Sequence, residues 1–161
     1  MKLATKILSL LVLAAIAVFY ISCDGGGGEN QSEQEKQFNK LKFSWTLTEA
    51  NDGTDRTDDF ANLVLTLQGS FAEGGTFQYS FTGTRPNPSP WPASGTWKFG
   101  ANPSTQIIRD PESNDELDLT YDQSDKTLVI SFNVQDGHPG WAGSRAGSVS
   151  GDWTFTFVKV E

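Results

Sequence analysis

The sequence is short of reactive and metal-binding side chains. Of 161 residues one is cysteine and one is histidine, so no internal disulfide can form and no His-rich metal site can be assembled. Basic residues are scarce as well. Twelve Lys plus Arg face twenty Asp plus Glu, for a formal charge of −8, which argues against a general nucleic-acid or anionic-membrane binder, because either needs a basic surface to neutralise phosphate. Recognisable catalytic patterns are missing too: there is no Gly-x-Ser-x-Gly elbow, no Ser-x-x-Lys and no zinc pattern, and His138 stands on a Gly/Pro turn without a nucleophile motif nearby. No enzyme activity and no cofactor are therefore expected. The Asp-rich run Asn51 to Asp59 has oxygens enough for Ca²⁺, but Gly53 is misplaced for an EF-hand loop and Arg56 interrupts the charge. It reads as a solvated acidic loop. Glu112, Asp115, Glu116 and Asp118 read likewise as a soluble face.

Long apolar runs are absent except at the start. Lys2 and Lys6 precede an uncharged stretch from Ile7 to Ile21, which as a helix covers roughly 22 Å against a hydrocarbon core of about 30 Å. A basic start, a short apolar centre and a small residue before Cys23 make a secretory signal. The ending Tyr20-Ile21-Ser22-Cys23 resembles the lipobox of bacterial lipoproteins. That resemblance implies removal of residues 1–22, lipidation of Cys23 and attachment to a membrane through the acyl chains. The chain that remains has ten basic and twenty acidic residues, a charge of −10. Residues 23–37 then form the lipidated cysteine and a flexible tether, since four glycines followed by polar residues cannot bury enough surface to order themselves. The implied address is the cell envelope of a Gram-negative bacterium, with the outer membrane expected, on its periplasmic or surface face. Asp24 is the residue that one sorting rule associates with inner-membrane retention, so the leaflet stays open, as does the oligomeric state.

From residue 38 to 161 the pattern is alternation. Phe43, Trp45 and Leu47, then Leu63, Leu65 and Leu67, then Phe77, Tyr79 and Phe81, each separated by one residue, repeat the period of a half-buried strand. Five later runs, around Trp97, Ile107, Leu119, Ile130 and Phe155, bring the expected total to eight strands, with no helix. Turn residues such as Asn51-Asp52-Gly53, Glu73-Gly74-Gly75 and Asp136-Gly137 lie between them. The expectation is an all-β domain, an eight-stranded antiparallel up-and-down barrel, with a β-sandwich as the alternative. An eight-stranded interior either fills with side chains or holds one small ligand.

Phe43-Ser44-Trp45, Ser94-Gly95-Thr96-Trp97-Lys98-Phe99 and Ser150-Gly151-Asp152-Trp153-Thr154-Phe155 together resemble the small lipocalin-like lipoproteins of Gram-negative bacteria. The first strand departs from the lipocalin pattern, carrying Phe-Ser-Trp where Gly-x-Trp is usual.

In a meander, successive connections alternate between the two ends, and here the odd-numbered connections are the longer ones. They gather the distinctive residues. The third holds Arg85 and Trp91 among four prolines; the seventh holds His138, Trp141 and Arg145 among glycines. Stiffened aromatics beside Arg could stack on a sugar or close over an apolar ligand, so Trp91, Trp141, Arg145, His138 and Arg85 are the candidate contacts for a small hydrophobic or glycan ligand. The alternative is that the tryptophans fold down as lids that exclude water. Two functions follow. One is a membrane-anchored binding module with its ligand at the long-loop end. The other is a structural or assembly envelope lipoprotein with a filled barrel, whose surface contacts a protein partner.

Overall fold

The computed structural model describes residues 31–113, 116–136 and 149–161. They form one helix, α1 (Glu33–Leu41), and eight strands: β1 (Ser44–Asn51), β2 (Val64–Gln68), β3 (Phe77–Thr82), β4 (Ser94–Phe99), β5 (Gln106–Arg109), β6 (Leu117–Gln123), β7 (Thr127–Val134) and β8 (Gly151–Lys159). Every strand pairs antiparallel with its sequence neighbour, and β8 returns to β1 from Trp45↔Lys159 to Asn51↔Thr154. The result is a closed up-and-down barrel, the architecture expected of a lipocalin-like chain. Closure leaves no strand edge unpaired, which the sandwich would have done.

Alternation is what makes the wall. Leu65 and Leu67, Tyr79, Leu119, Ile130, Phe155 and Phe157 point inward and are buried, while the residues between them face out. Each large side chain taken out of water contributes about 1.5–3 kcal/mol before the cost of ordering the chain. Strict alternation breaks once. A bulge between Leu47 and Glu49 inserts an extra residue in β1, so that Ala50 becomes the inward, fully buried position and Leu47 is only partly covered.

The helix is a departure from the expected flexible tether over residues 23–37. Ser32 Oγ accepts from the Glu35 backbone N–H at 3.1 Å, Glu33 and Glu35 lie in the first turn and Lys40 in the last, an arrangement that favours the helix dipole at both ends. Phe38 and Leu41, three residues apart, turn one face into the barrel mouth. Phe38 packs on Phe77 at 4.6 Å and Phe71 at 5.8 Å between centroids. The carbonyl of Leu41 accepts from Trp45 Nε1 at 2.9 Å. Burial of this apolar pair, more than the propensity of nine polar-rich residues, holds the helix.

Helix α1 closes the end that carries connections 69–76, 100–105 and 124–126. Connections 52–63, 83–93, 110–116 and 135–150 lie at the other end and are longer as a group. Residue 31, where the preceding chain joins, is therefore at the end opposite Trp91.

Candidate long-loop site

All four long connections contribute described residues to the long-loop end, including Val149, whose carbonyl accepts from Trp153 Nε1 at 2.9 Å. The 3-10 turn Thr57–Phe60 brings Phe60 edge-on to Phe155 at 5.2 Å and to Trp153 at 6.1 Å. Beside it the proline-rich connection folds Trp91 inward until only 3% of the residue is exposed. Its indole lies edge-on to Phe81, Phe132 and Tyr79 at 5.3, 5.4 and 5.9 Å. The geometry is that of a lid; it is not the exposed aromatic that the sequence suggested. Arg85 supports the lid from outside, donating from Nη1 to the Trp91 carbonyl at 2.9 Å.

Beneath the lid is a buried polar network. Arg109, on the inward side of β5, is fully buried, and its Nη1 donates to the Pro90 carbonyl at 3.1 Å. Its guanidinium lies 6.0 Å from the Trp91 ring and its Nε pairs with Asp110 Oδ2 at 3.3 Å. The same Oδ2 accepts from the Tyr79 hydroxyl at 2.8 Å, and Oδ1 accepts from the Thr96 backbone N–H at 2.8 Å. Asp110 reaches these donors from a left-handed backbone, φ 47°, a conformation that Asp tolerates better than most residues. Burial, then the adjacent Asp110 carboxylate, push the Tyr79 phenol well above its ordinary value, against weaker opposing effects of Arg109 and the Trp91 N–H. A neutral phenol donates here to a carboxylate that is itself paired with a guanidinium, while the buried Trp91 Nε1 above them makes no hydrogen bond of ordinary geometry among the described residues. These groups are directed at one another and at the backbone that carries Trp91.

No family model, curated protein or solved structure matches the chain. The reading of the site rests on its own geometry.

Of the expected contacts, Trp91 and Arg85 come together in the lid. His138, Trp141 and Arg145 lie outside the described residues, as does Cys23. Sequence reasoning missed Arg109, Asp110, Tyr79 and Gly95. Arg109 at an inward strand position was the available signal, since a charge there must find partners.

The acidic loop is held by its own side chains. Asn51, Asp52 and Asp55 each accept a backbone N–H two residues ahead, at 2.7, 3.2 and 2.9 Å. Arg56 bridges Asp52 at 2.9 Å and Asp59 at 2.6 Å, with its guanidinium 5.8 Å from the Trp153 ring. Among the described residues no group of three potential ligands is arranged for a metal ion. Elsewhere, an open hollow on the outer wall across β5–β8 is lined by a mixture of apolar surface and polar side chains, among them Ile108, Asp118, Thr120 and Asn133, where Asn133 Nδ2 donates to Asp152 Oδ1 at 2.7 Å.

Proposed function

We propose that the protein is a lipid-anchored envelope lipoprotein whose barrel is a solid scaffold, presenting its long-loop end to a protein partner. The observation that carries this reading is the position of Trp91. The indole occupies the space at the long-loop mouth that an enclosed ligand would need, and Phe38 closes the helix end. A barrel filled from both ends offers recognition on its surface. Lipidation of Cys23 would supply the anchor, and the chain that carries it joins the barrel at residue 31, at the helix end.

A second reading keeps a ligand at the same end. It is favoured by the open concavity that Arg85, Pro86, Asn87, Pro88 and Pro92 form on the outside of the lid, where a glycan could lie on stiff proline surfaces without entering the barrel.

The experiment is a pair of measurements on the mature chain. Tryptophan fluorescence is titrated with fatty acids and with oligosaccharides, and a photo-crosslinking residue is placed at position 54 or, as control, at position 101. A flat titration with one discrete protein adduct from position 54 is expected. Saturable fluorescence change with either ligand class, and no adduct, would replace the scaffold with the binding module.

A further inference from the structure

The charges of the barrel are segregated by end. Among the described residues every lysine lies toward the helix end: Lys36 and Lys40 on α1, Lys42 just after it, Lys98 and Lys126 in or beside a connection there, and Lys159 opposite Trp45 at the end of β8. Acidic residues such as Glu33, Glu73 and Asp125 share that end and leave it close to neutral. The opposite end is different. Asp52, Asp55, Asp58, Asp59, Glu112 and Glu116 stand in its connections and outnumber the described arginines there, of which Arg56 is paired with Asp52 and Asp59, Arg109 is buried against Asp110 and Arg85 donates to the Trp91 carbonyl. The excess negative charge of the folded domain is thus carried by the long-loop crown.

The chain before residue 31 joins at the helix end. Ser32 Oγ donates to Glu73 Oε2 at 2.5 Å and Gln34 Oε1 accepts from the Gly74 backbone N–H at 3.0 Å, which fixes the start of α1 against connection 69–76. Attachment at one point does not by itself fix the attitude of the barrel. An anionic lipid surface removes that freedom, because its potential decays over about 8 Å at physiological salt, and a strand of eight residues spans roughly 26 Å. Upright, the crown stands outside the field; lying down, it is inside and repelled. At the helix end Lys126 pairs with the exposed Glu161 at 3.3 Å and Lys159 lies over the Phe43 ring, and long lysine side chains such as those of Lys36 and Lys40 are within reach of anionic headgroups.

We propose that this charge segregation holds the barrel upright on an anionic bilayer, the lysine-bearing helix end against the headgroups and the acidic crown directed away. The proposal rests on the reading of the chain as lipid-anchored through Cys23. It adds the lipid surface itself as a second contact and gives the domain an orientation.

The test uses the mature lipidated protein in vesicles of phosphatidylcholine alone or with one third phosphatidylglycerol. An azide-bearing residue at position 54 in the crown, or at position 101 at the helix end, carries a fluorophore, and quenching by a headgroup-labelled lipid is read. At low salt, crown quenching is expected to fall about two-fold on the anionic vesicles relative to the neutral ones, and the difference to vanish near 1 M salt, where the screening length is about 3 Å. The position 101 probe should be strongly quenched on both. Equal crown quenching on the two vesicles at low salt would overturn the proposal. In the variant Asp55→Asn, Asp58→Asn, Asp59→Asn the two-fold difference should shrink, and in Lys36→Glu, Lys40→Glu, Lys126→Glu, Lys159→Glu the position 101 probe should retreat from the anionic surface. If neither variant moves its probe, the orientation does not come from these charges. Mass measurement of Cys23 decides the lipoprotein reading separately. Should the thiol be unmodified, coupling it to a maleimide lipid allows the same comparison, so one reading can fail without the other.

Discussion

The Asp110 carboxylate occupies the space that a side chain on Gly95 would fill: an ideal Cβ built on Gly95 falls 2.0 Å from Asp110 Oδ1 and 2.7 Å from the Tyr79 hydroxyl. The glycine of Ser94-Gly95-Thr96-Trp97 is needed because the carboxylate of the residue that follows β5 and a phenol from β3 meet directly over its Cα. Ordinarily Gly→Ala in a compatible conformation stabilises by about 0.4–1 kcal/mol through the unfolded chain. Here Gly95→Ala is expected to destabilise by about 3 kcal/mol, through the clash and the displaced hydrogen bonds. Denaturant unfolding of the variant gives the sign, and a gain in stability would show that Asp110 does not sit over Gly95.

Trp91 is expected to be costly to lose. Trp91→Ala empties a space lined by Tyr79, Phe81 and Phe132 and should cost about 3–5 kcal/mol. Added indole should restore part of the melting temperature by occupying that space. A variant that melts like the parent would place the indole outside the barrel.

Phe38 makes the corresponding prediction at the other end. Phe38→Ala should cost about 3–4 kcal/mol and expose the helix to proteolysis near Leu41, while a chain that begins at residue 31 should be as stable as the mature protein. If removal of residues 31–41 leaves the unfolding midpoint unchanged, α1 does not seal the barrel.

Alkaline pH should unfold the domain in one step with ionisation of its tyrosines. Burial first, and Asp110 second, raise the Tyr79 phenol above its ordinary value; burial first, and Glu33 second, raise Tyr121, whose hydroxyl donates to the Pro103 carbonyl. Below the unfolded-state value of about 10 both phenols are neutral in either state and their contribution is fully present. Above it the unfolded chain loses protons that the folded chain keeps, so stability falls as pH rises. Tyr79 and Tyr121 are the only tyrosines after residue 22, so phenolate absorbance of the mature chain should stay flat past pH 10 and then rise together with loss of near-ultraviolet dichroism. Tyr79→Phe should begin about 1 kcal/mol less stable at neutral pH, through the lost bond to Asp110, and lose less on the way up. A gradual rise in absorbance from the folded protein would mean that the phenols reach water.

Much of the wall is legible in the order of residues, because inward and outward positions on a strand alternate whatever the strand pairs with. Leu128, Ile130, Phe132 and Val134 reveal β7 by spacing alone, and the turn residues between such runs limit the connections to meander lengths. Parity then assigns the long loops to one end with no knowledge of the barrel. Even α1 leaves a local trace, since Ser32 and Glu35 stand at the spacing of a capping box. Its tie to folding lies elsewhere, in an apolar pair too sparse to mark an amphipathic helix until a barrel mouth is there to receive it.

What the tertiary structure alone decides is where side chains from distant segments meet. Trp91 in a run of prolines has the same sequence whether it faces water or Phe132; only the closed wall supplies the space and the rings that draw it in. The network of Tyr79, Gly95, Arg109 and Asp110 joins three strands and one left-handed residue, and each member is unremarkable in its own neighbourhood. The bulge at Leu47 to Glu49, which turns Ala50 inward, answers to the pairing of β1 with β8 across more than a hundred residues. Alternation is a property of single strands and can be read locally. Closure, filling and the burial of a charge are properties of the whole barrel, set by packing that no window of sequence contains.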